Sequence, residues 1–222
     1  MGMRHRKWLL VVSLLLPGLG AAVMMLLAMA EVREEIAEPF WSFLDVQIQS
    51  LVHRITFPGM TSAMLGLTWM GSPAVLVPCV SGAIAVLWLR RKRDAAVVLL
   101  IAAVGAGALN LALKLHFRTL RPDVPWAMVQ ERSFSFPSGH SMMAVVLYGT
   151  LLYLWLRGTR EQAHRVAAVI AAVLLIVGIG YSRVYLGAHY PSDVGAGYLA
   201  GCMWLATVVG VDWVVRWAEP GL

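Results

Sequence analysis

The sequence predicts an all-α, polytopic membrane protein, with six transmembrane helices in a bundle and one interfacial amphipathic helix. Of the 222 residues, 59% are hydrophobic and 14% are charged, and the mean hydropathy is +0.73. A soluble domain of this size could not bury so much apolar surface. The basic residues separate long apolar runs and do not form a single soluble face, which argues against a nucleic-acid partner. We therefore expect a single integral-membrane domain over residues 1–222.

The first predicted span covers residues 8–30 and follows a short basic N-terminus. This apolar run is long enough to cross a bilayer and longer than the apolar region of a signal peptide. The small residues Ala28 and Ala30 resemble a cleavage site, so cleavage as a signal peptide stays an alternative to an uncleaved anchor. Residues 40–57 then place apolar side chains at helical spacing, which predicts an amphipathic helix at the membrane interface.

Five further spans are predicted at residues 70–89, 95–115, 141–156, 166–181 and 194–215. Pro73 and Pro78 predict a kink in the first of these. A polar, proline-containing loop at 116–139 joins the third and fourth spans of the chain. Asp212 in the last span is spaced four residues from Arg216, which predicts an ion pair on one helix face.

The basic residues predict the orientation, because lysine and arginine accumulate at the cytoplasmic ends of spans. One side collects eleven of the 18: Arg4, Arg6, Lys7, Arg90, Arg91, Lys92, Arg93, Arg157, Arg160, Arg165 and Arg216. We therefore expect both termini to be cytoplasmic in a multi-pass protein of the cell (inner) membrane. Most of the other cations lie around the 116–139 loop and after the fifth span, against this rule, which suggests that they bind an anion.

Lys114 lies at the outer end of the third span, and Arg121 lies in the loop that follows. Asn110, Lys114 and Arg118 are spaced by four residues and share a face if the helix continues. Pro122 predicts that the helix ends before Arg121, which then folds over the helix end. Converging cations repel one another unless an anion lies between them, and several donors of this kind suit a phosphate.

Residues 137–140, Pro-Ser-Gly-His, predict the start of the next helix. Ser138 is a good helix cap, and Gly139 lets the backbone approach a ligand closely. The free N–H groups and the positive end of the helix dipole then favour an anion. A capped helix with His140 at the membrane interface is the alternative explanation.

Arg183, His189 and Asp193 crowd into residues 182–193 between the last two spans. Alternation of the spans brings them to the same outer side as Lys114, Arg121 and the start of the helix at 137–140. Two histidines, several cations and one carboxylate fit metal-free phosphoryl transfer better than a metal site. In that chemistry the carboxylate orients one imidazole for attack on phosphorus, and the other histidine protonates the leaving oxygen.

Three motifs in this order resemble the type 2 phosphatidic acid phosphatase superfamily: K-x6-R-P at 114–122, P-S-G-H at 137–140 and S-R-x5-H-x3-D at 182–193. The resemblance implies that His189 is the nucleophile, held by Asp193, and that His140 is the general acid. It implies further that Lys114, Arg121, Ser138, Gly139 and Arg183 bind the phosphate. Neither a metal nor another cofactor is implied for hydrolysis.

The expected function is therefore that of a lipid phosphatase at the outer face of the membrane. Its substrate would enter from the bilayer as a phosphomonoester or diphosphate lipid, with undecaprenyl diphosphate and phosphatidylglycerol phosphate favoured and phosphatidic acid also possible for the family. Membrane lipids surround it, and no obligatory protein partner is implied. A lipid flippase or transporter, or a vanadate-dependent peroxidase relative, remains the alternative.

Overall fold

A computed structural model describes residues 38–218 together with Gly20. These residues form seven helices and contain no strand, so the all-α class is confirmed for them. The helices are α1 Glu38–Arg54, α2 Pro58–Met70, α3 Pro73–Leu89, α4 Arg93–Phe117, α5 Gly139–Leu156, α6 Gln162–Tyr185 and α7 Pro191–Trp217. The predicted first span at 8–30, with its alternative cleavage site, lies outside the described residues.

Within the described residues, four helices, α4 to α7, are long and apolar enough to cross a membrane. Helices α2 and α3 add a fifth span if they are counted as one pair bent by 44°. The bend lies at Gly71 and Ser72, before the two prolines that were expected to cause it. Pro73 is the first residue of α3, where its missing N–H costs no hydrogen bond, and Pro78 lies inside α3.

The break between α2 and α3 lies close to His140. A Cβ atom at Gly71 would come within 2.6 Å of Ile179 Cγ2 and 3.2 Å of His140 Cδ2. The N–H groups of Gly71 and Ser72 donate to the carbonyls of Thr68 and Trp69, which closes α2. The absence of a side chain at Gly71 therefore lets the helix break pack against the start of α5.

Helix α1 turns its polar residues toward the bundle and its apolar residues outward. Asp45 and Gln49 are buried, whereas Phe43, Ile48 and Leu51 are exposed. The carboxylate of Asp45 accepts hydrogen bonds from the N–H and the hydroxyl of Ser192, with the N–H at 2.9 Å. Helix α1 is therefore anchored to the start of α7.

Helices α5 and α7 form the centre of the bundle and touch through glycines. A Cβ atom at Gly197 would lie 2.6 Å from the Ser138 carbonyl oxygen, and one at Gly201 would lie 2.8 Å from Val145 Cβ. The two helices therefore begin side by side, and the Ser138 N–H donates to the Asp193 carbonyl at 2.9 Å.

The predicted ion pair between Asp212 and Arg216 is wrong. Asp212 Oδ2 accepts instead from Arg157 Nη1 at 3.0 Å and from the Tyr153 hydroxyl. Tyr153 belongs to α5 and Arg157 directly follows it. The ends of α5 and α7 lie side by side and therefore offer Asp212 a closer cation than its own helix does. The side chain of Arg216 makes no ion pair within residues 38–218.

Candidate active site

His189, Asp193 and Ser135 form a buried hydrogen-bonded group at one end of the bundle. His189 ends the turn after α6, and Asp193 lies in the first turn of α7, where its Oδ2 accepts from the Tyr190 N–H at 2.9 Å. The Ser135 hydroxyl donates to Asp193 Oδ2 at 2.6 Å and lies 3.1 Å from His189 Nδ1. The direct distance from His189 Nδ1 to Asp193 Oδ2 is 3.4 Å.

These contacts assign the proton of the neutral His189 ring to Nδ1. Because the Ser135 hydrogen points at Asp193, the Ser135 oxygen and the carboxylate can only accept from Nδ1. Nε2 then keeps its lone pair and lies 3.2 Å from Arg121 Nη1. Burial lowers the pKa of His189 to about 4, although the hydrogen bond and charge of Asp193 oppose this shift. The imidazole is therefore neutral and nucleophilic near neutral pH.

Lys114 and Arg121 connect the loop at 133–135 to the rest of the site. Helix α4 ends at Phe117, because Arg118 adopts the left-handed conformation with φ 47°, and Arg121 folds over the helix end as expected. Arg121 donates to the carbonyls of Ser133 and Ala188, both at 2.7 Å. The Lys114 ammonium group donates to the carbonyls of Phe134 and Ser135. Both cations thus hold loop backbone while facing the histidine.

Arg183 lies in the last turn of α6, which continues beyond the predicted end of that span at residue 181. Its side chain is only 1% exposed. Nη1 donates to the Thr68 hydroxyl of α2 at 2.6 Å, and Nη2 pairs with Glu131. Nε has no hydrogen-bond partner among the described residues. The guanidinium group is therefore held through Nη1 and Nη2, and its Nε–H remains available as a donor.

Glu131 lies between the two arginines, a placement that the sequence did not predict. Its Oε2 accepts from Arg121 Nη2 at 2.7 Å, and its Oε1 pairs with Arg183 and lies 4.0 Å from His140 Nδ1. Burial alone would raise the pKa of Glu131, but the charges of Arg183 and Arg121 hold the pKa below its ordinary value. The site therefore contains a carboxylate anion bridging two guanidinium groups.

The start of α5 lies where the Pro-Ser-Gly-His motif predicted it. Ser138 occupies the cap position, but its hydroxyl makes no cap hydrogen bond and accepts instead from the Ser141 hydroxyl at 3.0 Å. Gly139 approaches Asn110, whose Oδ1 would lie 3.1 Å from an added Cβ. Ser138 is fully buried, whereas Gly139 and His140 line the cavity described next. A direct contact of the Ser138 hydroxyl with phosphate stays a prediction.

A cavity of about 640 Å³ opens from these polar residues and continues between α3, α4 and α5. Its polar end is lined by Lys114, Glu131, His140 and His189, and its walls are apolar residues such as Leu76. On α4 the lining residues extend from Lys114 to Leu100, which is about 20 Å at the α-helical rise. The groove can therefore hold a polar headgroup together with an apolar chain.

The structure brings together most residues that the motifs singled out. Arg121, His189 and Asp193 are linked by hydrogen bonds, and Lys114, Arg183 and His140 surround them. Ser135, Glu131 and Thr68 were missed. A weak signal existed for Glu131, which is a carboxylate inside a loop rich in cations. No cluster of three or more His, Cys, Asp or Glu able to hold a metal occurs in the part of the chain that the structure describes.

Comparison with known proteins identifies the family, since residues 79–217 match the PAP2 superfamily. The chain belongs to this superfamily. It is 32% identical over 169 residues to phosphatidylglycerophosphatase B of Bacillus subtilis, covering 76% of this chain and 83% of that protein. It is 29% identical over 167 residues to undecaprenyl-diphosphatase of Sulfolobus acidocaldarius, covering 71% and 73%.

The fold has a solved PAP2 relative as well. The crystal structure of a transmembrane PAP2 type phosphatidylglycerolphosphate phosphatase from Bacillus subtilis matches with a TM-score of 0.78 and 30% identity, covering 88% of this chain and 96% of that one. The resemblance drawn from the three motifs is confirmed. The prediction of a membrane enzyme that hydrolyses phosphate esters is confirmed at this level, because the named relatives are lipid phosphatases.

Proposed function

We propose that this PAP2 protein removes phosphate from a phosphomonoester or diphosphate lipid through a phosphohistidine intermediate. One observation supports the proposal above all. The unprotonated Nε2 of His189 faces Arg121 at the polar end of a groove whose remaining length is apolar. A lipid phosphate has this same division, because its phosphate needs cations and its chain needs an apolar surface.

In this proposal the cations bind the phosphate and stabilise its transition state. Lys114, Arg121 and Arg183 neutralise the charge of the oxygens, and the N–H of Gly139 at the start of α5 adds a donor. Ser138, at the same helix start, is proposed to contribute to phosphate binding as well. These donors are fixed by loop carbonyls and by Thr68, so little reorganisation is needed during the reaction.

The reaction then has two steps. In the first, Nε2 of His189 attacks phosphorus while Asp193, through Ser135, holds the Nδ1 proton and stabilises the positive ring. The bond to the leaving oxygen breaks, and His140 gives that oxygen a proton. In the second step, water gives a proton to His140 and attacks the phosphohistidine, which releases phosphate and restores neutral His189.

Glu131 has to give way to the substrate in this scheme. Its carboxylate occupies the position between Arg121 and Arg183 in which the phosphate oxygens are proposed to bind. Binding therefore exchanges one anion for another, which lowers the net gain from the two arginines. The exchange also avoids leaving two guanidinium groups facing each other without an anion when the site is empty.

The length of the groove favours a lipid over a soluble sugar phosphate. Its span of about 20 Å exceeds one half of a hydrocarbon core of about 30 Å. The relatives named for phosphatidylglycerol phosphate and undecaprenyl diphosphate make these two lipids the leading substrates, with phosphatidic acid next.

For the membrane arrangement, we propose one domain over residues 1–222 with six spans, counting 8–30 as the first and α1 as interfacial. The excess of basic residues at the opposite end supports cytoplasmic termini and an active site at the outer face of the cell membrane. An impermeant thiol reagent should label Cys introduced at Val124 in intact cells, in a background lacking Cys79 and Cys202. Labelling only after lysis would invert the orientation.

The activity is tested by phosphate release in detergent with undecaprenyl diphosphate, phosphatidylglycerol phosphate, phosphatidic acid and a soluble diphosphate. We expect at least one lipid to be hydrolysed faster than the soluble compound. His189→Ala should reduce release to background, whereas the matched variant His164→Ala, which changes an exposed histidine, should retain full activity. Phosphate release by His189→Ala at the wild-type rate would overturn the nucleophile assignment, and failure with every lipid would overturn the substrate class.

The intermediate is tested by rapid acid-free quenching with labelled substrate. His140→Ala should slow both steps, because the leaving oxygen loses its acid and water loses its base. With a diphosphate substrate, whose leaving group departs more easily without a proton, formation should be spared most, and labelled phosphohistidine should accumulate relative to the wild type. A variant that hydrolyses slowly without any labelled protein would contradict the covalent route.

A further inference from the structure

A second cavity, of about 380 Å³, lies at the end of the bundle opposite the candidate active site. It is bounded by the turn between α3 and α4 and by the C-terminal ends of α5 and α7. Its lining includes the cations Arg91, Lys92, Arg93, Arg157 and Arg216, against one carboxylate, Asp94. None of the residues so far assigned to catalysis takes part in it.

The charges of this cavity are unbalanced. Arg157 is paired with Asp212, and the Arg93 guanidinium lies 5.4 Å above the Trp88 ring. Arg91, Lys92 and Arg216 make no ion pair with any residue in 38–218. Cations that converge on one space repel one another, and an anion placed among them relieves this repulsion. The preference of spans for cytoplasmic cations explains the charges at this end, but not their convergence on a cavity.

Arg91 occupies a backbone position that normally favours glycine. Its φ is 61°, in the left-handed region. The N–H groups of Arg91 and Lys92 donate to the carbonyls of Trp88 and Leu87, which is the Schellman arrangement at the end of a helix. An arginine there is less favourable than glycine for the backbone. The turn explains the left-handed conformation but not the choice of arginine at this position, which directs attention to the side chain.

The remaining walls of the cavity are apolar and lie beside residues that suit a membrane interface. Leu87, Ala95 and Leu154 line the cavity. Trp88 and Trp155, which neighbour the lining residues, are exposed large aromatic side chains, and tryptophan is enriched where lipid headgroups meet hydrocarbon. A soluble anion would use the cations alone, whereas a lipid would use both parts of this surface.

We propose that this cavity binds the headgroup of an anionic phospholipid from the leaflet opposite the active site. The phosphate lies among Arg91, Lys92 and Arg216, and the first carbons of the chains lie against the apolar wall. Basic pockets between transmembrane helices bind anionic headgroups in this way. The lipid connects the hairpin of α3 and α4, which walls the catalytic groove, to α5 and α7.

The test measures the melting temperature of the full-length protein in detergent during titration with dioleoylphosphatidylglycerol. This phosphodiester lacks a terminal phosphate for the enzyme to remove. Dioleoylphosphatidylcholine and inorganic phosphate serve as the zwitterionic and soluble controls. We expect a saturable rise with phosphatidylglycerol that neither control reproduces. The rise should persist in excess orthovanadate, a phosphate analogue directed at the candidate active site.

The double variant Arg91→Gln/Arg216→Gln should bind phosphatidylglycerol about thirtyfold more weakly, from the contribution expected for two cations near the membrane surface. Its matched control, Arg90→Gln/Arg160→Gln, removes the same charge at the same end but changes no residue lining the cavity. Equal loss in both double variants, an equal shift with inorganic phosphate, or a shift abolished by orthovanadate would each overturn the proposal.

Arg91→Gly separates binding from folding. Glycine relieves the left-handed backbone, so the lipid-free protein should melt at the same or a higher temperature. The apparent affinity for phosphatidylglycerol should nevertheless fall about fivefold through the loss of one cation. An Arg91→Gly protein that keeps wild-type affinity would overturn the proposed role of the arginine.

Discussion

The Thr68 hydroxyl accepts a hydrogen bond of 2.6 Å from Nη1 of Arg183, one of the residues proposed to bind the phosphate. Thr68→Val keeps the shape of the side chain and removes this acceptor. Hydrogen bonds to charged groups contribute about 1.5 to 3 kcal/mol. Arg183 is buried, and its Nε already has no partner among the described residues, so water is not expected to replace the lost bond. The substitution should therefore leave the arginine misplaced for phosphate binding.

At about 1.4 kcal/mol for each factor of ten, this loss corresponds to a decrease in kcat/KM of about 10- to 150-fold. The assay is phosphate release from the best lipid substrate, together with inhibition by orthovanadate, which should weaken in parallel. Thr150→Val is the matched control, because Thr150 is also buried but bonds only the carbonyl of Val146 in its own helix. A kcat/KM of Thr68→Val within twofold of the control would refute the positioning role.

Two further predictions concern charge. Glu131→Gln removes the carboxylate that competes for the arginines, so orthovanadate should bind about tenfold more tightly. The control Glu161→Gln, which changes an exposed carboxylate, should leave orthovanadate binding unchanged. Weaker binding by Glu131→Gln would mean that Glu131 organises the arginines instead. Because the pKa of His189 is about 4 in the folded protein and 6.5 ordinarily, the unfolded chain takes up its proton first as the pH falls. The free energy of unfolding should be highest above pH 6.5 and should drop by about 3 kcal/mol toward pH 4. Melting temperatures should show this slope in His164→Gln and a flatter one in His189→Gln; equal slopes would contradict it.

The sequence predicted best those residues whose position follows from helix geometry. Asp193 opens the last span, and His140 follows a proline and a cap position, so the starts of the predicted helices placed them. Lys114 follows from the helical periodicity on α4. The ends of the helices were less predictable. Hydropathy falls at Tyr181, but α6 continues to Tyr185, because burial in the bundle and not apolar character supports that last turn.

Residues outside regular structure could not be predicted in the same way. Ser135 and Glu131 belong to a loop without helical period, so the sequence did not indicate which of its side chains point inward. Thr68 reaches Arg183 from a helix far away in the chain, and no local pattern links them. The face that α1 turns toward the bundle could not be predicted either. An amphipathic pattern defines two faces but does not indicate which of them packs against the bundle. In the structure the polar face does so through Asp45.

The glycine contact between α5 and α7 has a consequence for how such an enzyme can diverge. At Gly197 and Gly201 there is no room for even one methyl group. The distance between the starts of the two helices is therefore set by the close contact of the α7 backbone with α5. Several groove residues on α3 and α4, such as Val77, Leu100 and Val104, are exposed, and their side chains can change size while that distance stays constant. Substitutions in these walls can therefore change which lipid chain is accepted while the reacting atoms keep their geometry. Related proteins can in this way act on different substrates through the same reaction.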